Sequence, residues 1–525
     1  MATAPASTPT PSTPESTPAS NPASSPVDHQ VVIIGSGFAG VCMAIQLKLR
    51  GIDDFVVLEK DADLGGTWRD NTYPGCACDV PSYLYSFSFE QNPRWTRMFA
   101  PQQEIWDYIR HCVNKYGIGA HFRYNATVTG AEFDEATGTW QVWVNDNEML
   151  SSRSLVAGVG ALHHPKTPDL PGLDTFEGTT FHSAHWNHEH DLRGRKVAVV
   201  GTGASAIQFV PQIAEEVAHL DVYQRSAPWI TPKPDRAIGV RERDVHSRFP
   251  AGQRFIRNLL YWAMELRGVG FAVNPKMMKA IELQARHHLK KQVPDPELRR
   301  RLTPDYAVGC KRVLLSNDYY PALLRDNVGL VTDGIKEIRP HSVVTSDGTE
   351  READTIIFGT GFDVSGNLTQ MKIVGRDGEE LNEVWERKGM GAHLGITVSG
   401  FPNLFLLVGP NTGLGHSSMI FMIERQVDYV MQALGLLEDE DAAFVDVRQE
   451  THNRFVERVQ TRLSGSVWQG CNSWYVDENG RNFTIWPHFT WKYWLETRKL
   501  KRHEYDVVPA TTASTGEPTR ERQPA

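Results

Sequence analysis

Short runs of aliphatic and β-branched residues punctuate the chain, each ending at a glycine or a charge. Val31-Val32-Ile33-Ile34 runs into Gly35, and Phe55-Val56-Val57-Leu58 runs into Glu59. Lys196-Val197-Ala198-Val199-Val200 runs into Gly201, and Asp221-Val222-Tyr223 leads to Arg225. Two later runs, Thr355 to Phe358 before Gly359 and Leu404 to Val408 before Gly409, behave alike. Uninterrupted apolar runs of this length mark parallel strands buried on both faces. Helical periodicity follows the glycine turns over 41–50 and 206–218, and returns over 418–437. This alternation predicts an α/β protein of two doubly wound, Rossmann-like dinucleotide-binding domains, the second inserted into a discontinuous first. The pattern turns helical over 254–266 and 275–291, which predicts a helical insert. The expected boundaries are 1–28 and 509–525 for two tails, 29–170 and 355–508 for the first domain, 171–235 and 301–354 for the second, and 236–300 for the insert.

The two glycine turns differ in chemistry. Gly35-Ser36-Gly37-Phe38-Ala39-Gly40 opens one helix and Gly201-Thr202-Gly203-Ala204-Ser205-Ala206 opens the other. Glycine permits the tight turn and lets backbone N–H groups approach a pyrophosphate at the helix N-terminus. The residue ending the next strand lies beside the adenosine ribose. An acid there accepts from a free 2′-OH, whereas an arginine pairs with a 2′-phosphate. Glu59 and Arg225 fill that position at the same offset behind their turns. The first unit therefore suits FAD or NAD and the second NADPH, so the chain is expected to be a flavoenzyme reduced by NADPH.

Composition narrows this picture. A chain of 525 residues can hold two or three domains with substantial cores. A net charge of −9 without a basic stripe argues against nucleic-acid binding. The most apolar stretch, 258–273, is interrupted by Glu265 and Arg267 and is too short and too charged to span a bilayer. The first 26 residues hold seven prolines among Ala, Ser and Thr, with one acid and no base. They lack the basic start and apolar run of a signal peptide and read as a disordered tail. The six cysteines, at 42, 76, 78, 112, 310 and 471, form no CxxC or zinc spacing, so no metal is expected. Without a secretion signal, the expectation is a cytoplasmic protein with reduced thiols.

The most specific sequence lies just past Glu59: Gly65-Gly66-Thr67-Trp68, followed by Tyr73-Pro74-Gly75-Cys76-Ala77-Cys78-Asp79. A second fingerprint joins the two units: Phe176 and Gly178, then His182, then Trp186. In these motifs the chain resembles the type I Baeyer–Villiger monooxygenases, which carry GGxW…YPGxxxD and FxGxxxHxxxW in this order. The resemblance covers about residues 29–505; Asn187 departs from the Pro or Asp usual there. It implies an FAD enzyme that uses NADPH and O₂ to insert one oxygen atom beside the carbonyl of a small-molecule ketone, through a C4a-peroxyflavin, giving an ester or lactone. N- and S-oxygenating flavin monooxygenases of the same fold are the alternative; they usually carry another aromatic in place of Trp186. A disulfide reductase would need the CxxC this chain lacks.

The resemblance also implies roles. Arg312 would be the active-site arginine and Asp79 would orient it, making these two the catalytic candidates. Lys311 would join Arg225 and Ser226 on the 2′-phosphate. Gly66, Thr67, Trp68 and Tyr85 would border the flavin, with Lys60 and Val128 also in the cofactor-binding set, and Trp468 would contact NADPH. His182 is tempting as a general base at neutral pH, but the resemblance places it in an interdomain linker that affects cofactor binding.

Overall fold

In the computed structural model, which describes residues 27–272, 274–364, 370–468, 471 and 473–510, both glycine turns lie at the C-terminal end of a parallel strand. Of the two expected tails, all but residues 27, 28, 509 and 510 fall outside the described residues. The first sheet is built on β1 (His29–Ile34), β2 (Phe55–Leu58), β3 (Phe122–Arg123), β4 (Val128–Asp134), β5 (Thr139–Val144) and β6 (Glu148–Ala157). Strands β3, β2, β1 and β6 are neighbours in that order and all parallel. The strand Leu404–Leu406 adds to the far half of β6, also parallel. Through its first half β6 pairs antiparallel with β5, which pairs antiparallel with β4.

Burial explains why β1 carries no polar alternation. Val31 and Ile33 enter one hydrophobic cluster while Val32 and Ile34 enter the cluster on the opposite face. Each such side chain contributes about 1.5–3 kcal/mol by leaving water. Helix α1 (Phe38–Leu49) follows the first turn and is buried almost all round, packed against the helix Met419–Asp439. The short α2 (Thr67–Asp70) carries the first fingerprint and rests on α3 (Gln102–Lys115).

The second sheet contains β7 (Thr179–His182), β8 (Lys196–Val200) and β9 (His219–Tyr223), with the strands Val328–Val331 and Thr355–Phe358. Its spatial order is Val328–Val331, β9, β8, Thr355–Phe358, β7, and every pairing is parallel. This corrects the expected boundary at residue 355. Thr355–Phe358 lies between β8 and β7 and belongs to the second sheet. An apolar run specifies a doubly buried strand but not its partners, so its sheet is decided by tertiary pairing. The chain re-enters the first sheet only with Lys372–Val374 beside β4 and Leu404–Leu406 beside β6.

Helix α4 (Ala206–Ile213) follows the second turn. The stretch expected as an insert carries the helices Val240–Arg248, Pro250–Ala272, Met278–Gln292 and Pro296–Arg301; the second and third overlie the two periodic stretches, and the first and last lie outside them. The two units are stitched together at the first fingerprint. Gln208 on α4 donates from Nε2 to Ala77 O (3.0 Å) and accepts at Oε1 from Tyr73 Oη (3.0 Å). Gly75 lies so close that a Cβ there would come 2.8 Å from Gln208 O.

Candidate functional site

The first turn is shaped by contacts that exclude side chains. A Cβ on Gly40 would lie 1.9 Å from Gly35 O, and one on Gly35, at φ +95°, would lie 2.8 Å from Gly158 O. Gly37 is different: a Cβ there would meet nothing within 4 Å. Its glycine is not required by protein neighbours, and the space it leaves lies at the N-terminus of α1, whose N-cap makes no side-chain hydrogen bond. This cradle fits an anionic pyrophosphate. Gly66, at φ +52°, lies against it, its missing Cβ 3.3 Å from Gly37 Cα. Phe38 and Ala39 are buried beneath the turn.

Glu59 stands beside this cradle and is 4% exposed. One carboxylate oxygen accepts from Ser36 N (3.0 Å) and from the Ser36 hydroxyl. The other accepts from Asp61 N (3.1 Å) and Arg69 Nη1 (3.3 Å). The β3–β4 connection closes over this segment, with Ala126 N donating to Glu59 O (2.9 Å). Val128 is a buried core residue at the start of β4, whereas Lys60 is exposed.

The second turn shares the backbone and differs in surroundings. A Cβ on Gly201, at φ +109°, would lie 2.5 Å from Gly359 O, but one on Gly203 would have no atom nearer than 3.7 Å. Gly203 and Ala204 are exposed, Ser205 precedes α4 without capping it, and Thr202 Oγ1 donates to Ser226 O (3.2 Å). Arg225 is exposed, and Lys311 Nζ donates to Ser226 Oγ (3.2 Å). The Lys311 ammonium is depressed below its ordinary range by burial and by the neighbouring Arg225 charge. Two cations and a hydroxyl thus converge with no carboxylate within ion-pair distance of either cation among the described residues. That set fits a phosphate dianion.

Between the two turns the structure joins residues far apart in sequence. Arg312 Nε donates to Asp79 Oδ2 (2.8 Å), and Nη2 reaches the same oxygen at 2.6 Å. The Asp79 carboxylate raises the guanidinium pKa further, so Arg312 is a permanent cation. Asp79 occupies the Nε–Nη2 edge, which leaves Nη1 as the corner this carboxylate does not use. Tyr475 lies in the field of the same pair; burial pushes its phenol up to about 12, so it stays neutral beside the cation. Nearby, Trp68 Nε1 donates to Tyr85 Oη (3.0 Å), and Tyr85 meets Phe38 edge-on at 5.4 Å between ring centroids. Thr67 Oγ1 donates to Leu162 O (3.5 Å).

Three features were not legible in the sequence. Tyr475 and Gln208 belong to no motif; only the folded chain brings them to Arg312 and to the first fingerprint. The third is a correction: Cys310 and Cys471, expected as reduced thiols, are disulfide-bonded across a separation of 161 residues. No local spacing announces a bridge closed by tertiary folding. Cys42, Cys76, Cys78 and Cys112 are free and buried, and no metal cluster occurs among the described residues. Trp468 is 1% exposed and stacks on Phe271 at 5.7 Å. His182 closes β7, accepts at Nδ1 from Ala184 N (3.1 Å), and is pushed down to about 4 by burial. A neutral, hydrogen-bonded linker residue fits that position better than a base poised at neutral pH. Trp186 packs against Phe181 and Phe209 in the second unit.

The paired nucleotide units define the class first. A family model described as pyridine nucleotide-disulphide oxidoreductase matches residues 32–254. The particular family follows from whole-chain relatives. The sequence is 47% identical over 496 residues to a Baeyer–Villiger monooxygenase of Pseudomonas aeruginosa, covering 94% of each chain. It is 45% identical over 492 residues to one of Streptomyces coelicolor, covering 93% of this chain and 94% of that one. Among solved structures, OTEMO in complex with FAD and NADP matches with a TM-score of 0.83 at 26% identity, covering 92% of this chain and 100% of that one. The chain belongs to the Baeyer–Villiger monooxygenase family.

Proposed function

We propose that this protein is an FAD-containing, NADPH- and O₂-dependent monooxygenase that inserts one oxygen atom beside a ketone carbonyl, giving an ester or lactone. The observation that carries this reading is the Asp79–Arg312 ion pair, set between an acid-ended and an arginine-ended nucleotide unit. The first unit would hold FAD, with pyrophosphate in the Gly37 cradle and the ribose facing Glu59. The second would hold NADPH, with the 2′-phosphate among Arg225, Ser226 and Lys311. No helix among the described residues is long and apolar enough to cross a membrane.

When bound, the reduced flavin supplies the electrons that activate O₂ for attack on the carbonyl. The protein's part is electrostatic and positional. Asp79 holds the Arg312 guanidinium in a fixed orientation, and its free Nη1 corner stabilises negative charge as it develops on oxygen. A preoriented cation needs little reorganisation during the reaction, which is why the ion pair matters more than the arginine alone. Tyr475, held neutral, adds no competing anion. The Trp68–Tyr85 hydrogen bond fixes the aromatic wall that follows the first fingerprint.

The test is product analysis of the holoenzyme with NADPH and air, offering linear, cyclic and aryl ketones beside a thioether. An ester or lactone one oxygen heavier than the ketone, with one NADPH consumed per product, is expected. NADPH oxidation that gives sulfoxide alone, or no ester or lactone from any ketone, would overturn the reading in favour of an S-oxygenating relative or an uncoupled oxidase.

A further inference from the structure

The insert helix Pro250–Ala272 docks by a face that buries Gln253, Arg257, Glu265 and Phe271, and leaves an apolar face uncovered. Its inner face is anchored: Arg257 Nη1 donates to Tyr83 O (2.6 Å), Glu265 accepts from Thr490 Oγ1 (2.7 Å), and Phe271 stacks on Trp468. On its outer face Phe255, Leu259, Trp262 and Leu266 are 69, 60, 59 and 69% exposed. An amphipathic helix docked by one face should present polar residues on the other. Here the outer face presents a seam at the alternating four- and three-residue spacing of a coiled coil.

We propose that this seam pairs with the same seam of a second copy of the chain, in an antiparallel two-fold dimer. The spacing reads the same in both directions. Antiparallel pairing therefore sets Phe255 against Leu266 of the second copy and Leu259 against its Trp262, and the two-fold axis makes each contact twice. Asn258 and Ala263, the exposed neighbours at the centre of the seam, carry no charge and permit close approach, and the charged neighbours Arg254 and Arg267 lie at its ends. A whole aromatic side chain covers about 150–250 Å², so the four exposed fractions amount to surface on the order of 500 Å² per copy. Complete cover of all four side chains in both copies would bury about 1,000 Å², the lower bound for a specific interface.

Other occupants fit less well. The first 26 residues and the last 15 contain no Leu, Ile, Phe or Trp with which to fill the seam. A lipid surface would favour a cationic rim. The seam offers only Arg254 and Arg267 near its ends, on a chain of net charge −9.

Sedimentation velocity on the full-length holoenzyme between about 1 and 50 µM tests this. Twice the chain mass is expected, with Trp262→Glu and Leu259→Glu each weakening association at least about 30-fold, the effect of removing a central hot spot. Both positions are exposed, so far-UV circular dichroism should be unchanged, and the melting temperature should match that of the unmutated chain diluted to monomer. A monomer at every concentration overturns the proposal, as does a dimer that survives both substitutions. Co-sedimentation with phosphatidylcholine–phosphatidylglycerol vesicles, lost on Trp262→Glu, would also overturn it and assign the seam to a membrane surface.

Discussion

The two glycine turns share a backbone and differ in closure. Beside the first, Glu59 is buried and already accepts from Ser36, Asp61 and Arg69. Beside the second, Arg225 is exposed, and Lys311 meets only neutral groups among the described residues, the Ser226 hydroxyl and the Tyr306 ring. The first is flanked by α3 and the β3–β4 connection, with its residues buried or half-buried; the second is exposed at Gly203 and Ala204. On the proposed function this is the difference between a prosthetic group kept for many turnovers and a nucleotide that binds and leaves. A buried, preorganised site gains affinity because little remains to be ordered on binding. An exposed cation pair recruits its ligand through the field and releases it readily.

The sharpest way to test that division is the group between the turns. Arg312→Ala should lower ester formation by about 10²–10³-fold, as removing one oxyanion-stabilising donor does elsewhere. FAD should stay bound, because the residues around the first turn are unchanged. The flavin absorbance of the purified variant and its product yield check both halves. Flavin loss along with activity would mean that Arg312 holds the cofactor instead.

Next comes the last position of each turn. Gly40→Ala places a methyl where the Gly35 carbonyl oxygen sits, 1.9 Å away. It should cost about 3 kcal/mol of stability, the upper end for overpacking, and empty the flavin site. Ala206 holds the equivalent position of the second turn, and Ala206→Gly should cost only about 1 kcal/mol, the ordinary helix penalty. Thermal melts and flavin content of the two variants measure the asymmetry. Equal losses would mean the two turns are equally tight.

Arg225→Ala should raise the KM for NADPH by about 10–100-fold, matching about 1.5–3 kcal/mol for hydrogen bonds to a charged group. The KM for NADH should hardly move, so the preference between them narrows. A KM for NADH that rises in step would place Arg225 on a part of the nucleotide common to both.

What the sequence reveals follows the same division. Local chemistry was legible: aliphatic runs gave the strands, glycine spacing gave the turns, and a charge at a fixed offset distinguished the two units. The resemblance supplied Asp79 and Arg312, and the structure brings them within 2.6 Å. What depends on distant pairing was not legible. Thr355–Phe358 could have continued either sheet, and nothing in its four residues chooses β8. Cys310 and Cys471 meet only after 161 residues of chain have folded, which a scan for short cysteine spacings does not detect. Tyr475 reaches Arg312 in the same way, from a segment without a motif.

The smallest expected effect concerns a property the two units share. His163, just past β6 of the first unit, and His182, closing β7 of the second, are both pushed down to about 4 by burial. An unfolded histidine titrates near 6.5. Between those values the unfolded chain binds more protons than the native one, so stability is full above about pH 6.5 and falls as pH drops toward 4. The melting temperature should therefore decline from pH 7 to pH 5. His163→Gln and His182→Asn should each make the decline shallower while leaving the melting temperature at pH 8 within a few degrees. Asn suits position 182 because its carbonyl can accept from Ala184 N as the imidazole does. Neither histidine changes charge between pH 6 and 8, so neither should shape the pH profile of oxygenation there. A limb near pH 6.5 that disappears in His182→Asn would show that the ring titrates in the working enzyme, and the second unit would then carry a proton-linked function absent from the first.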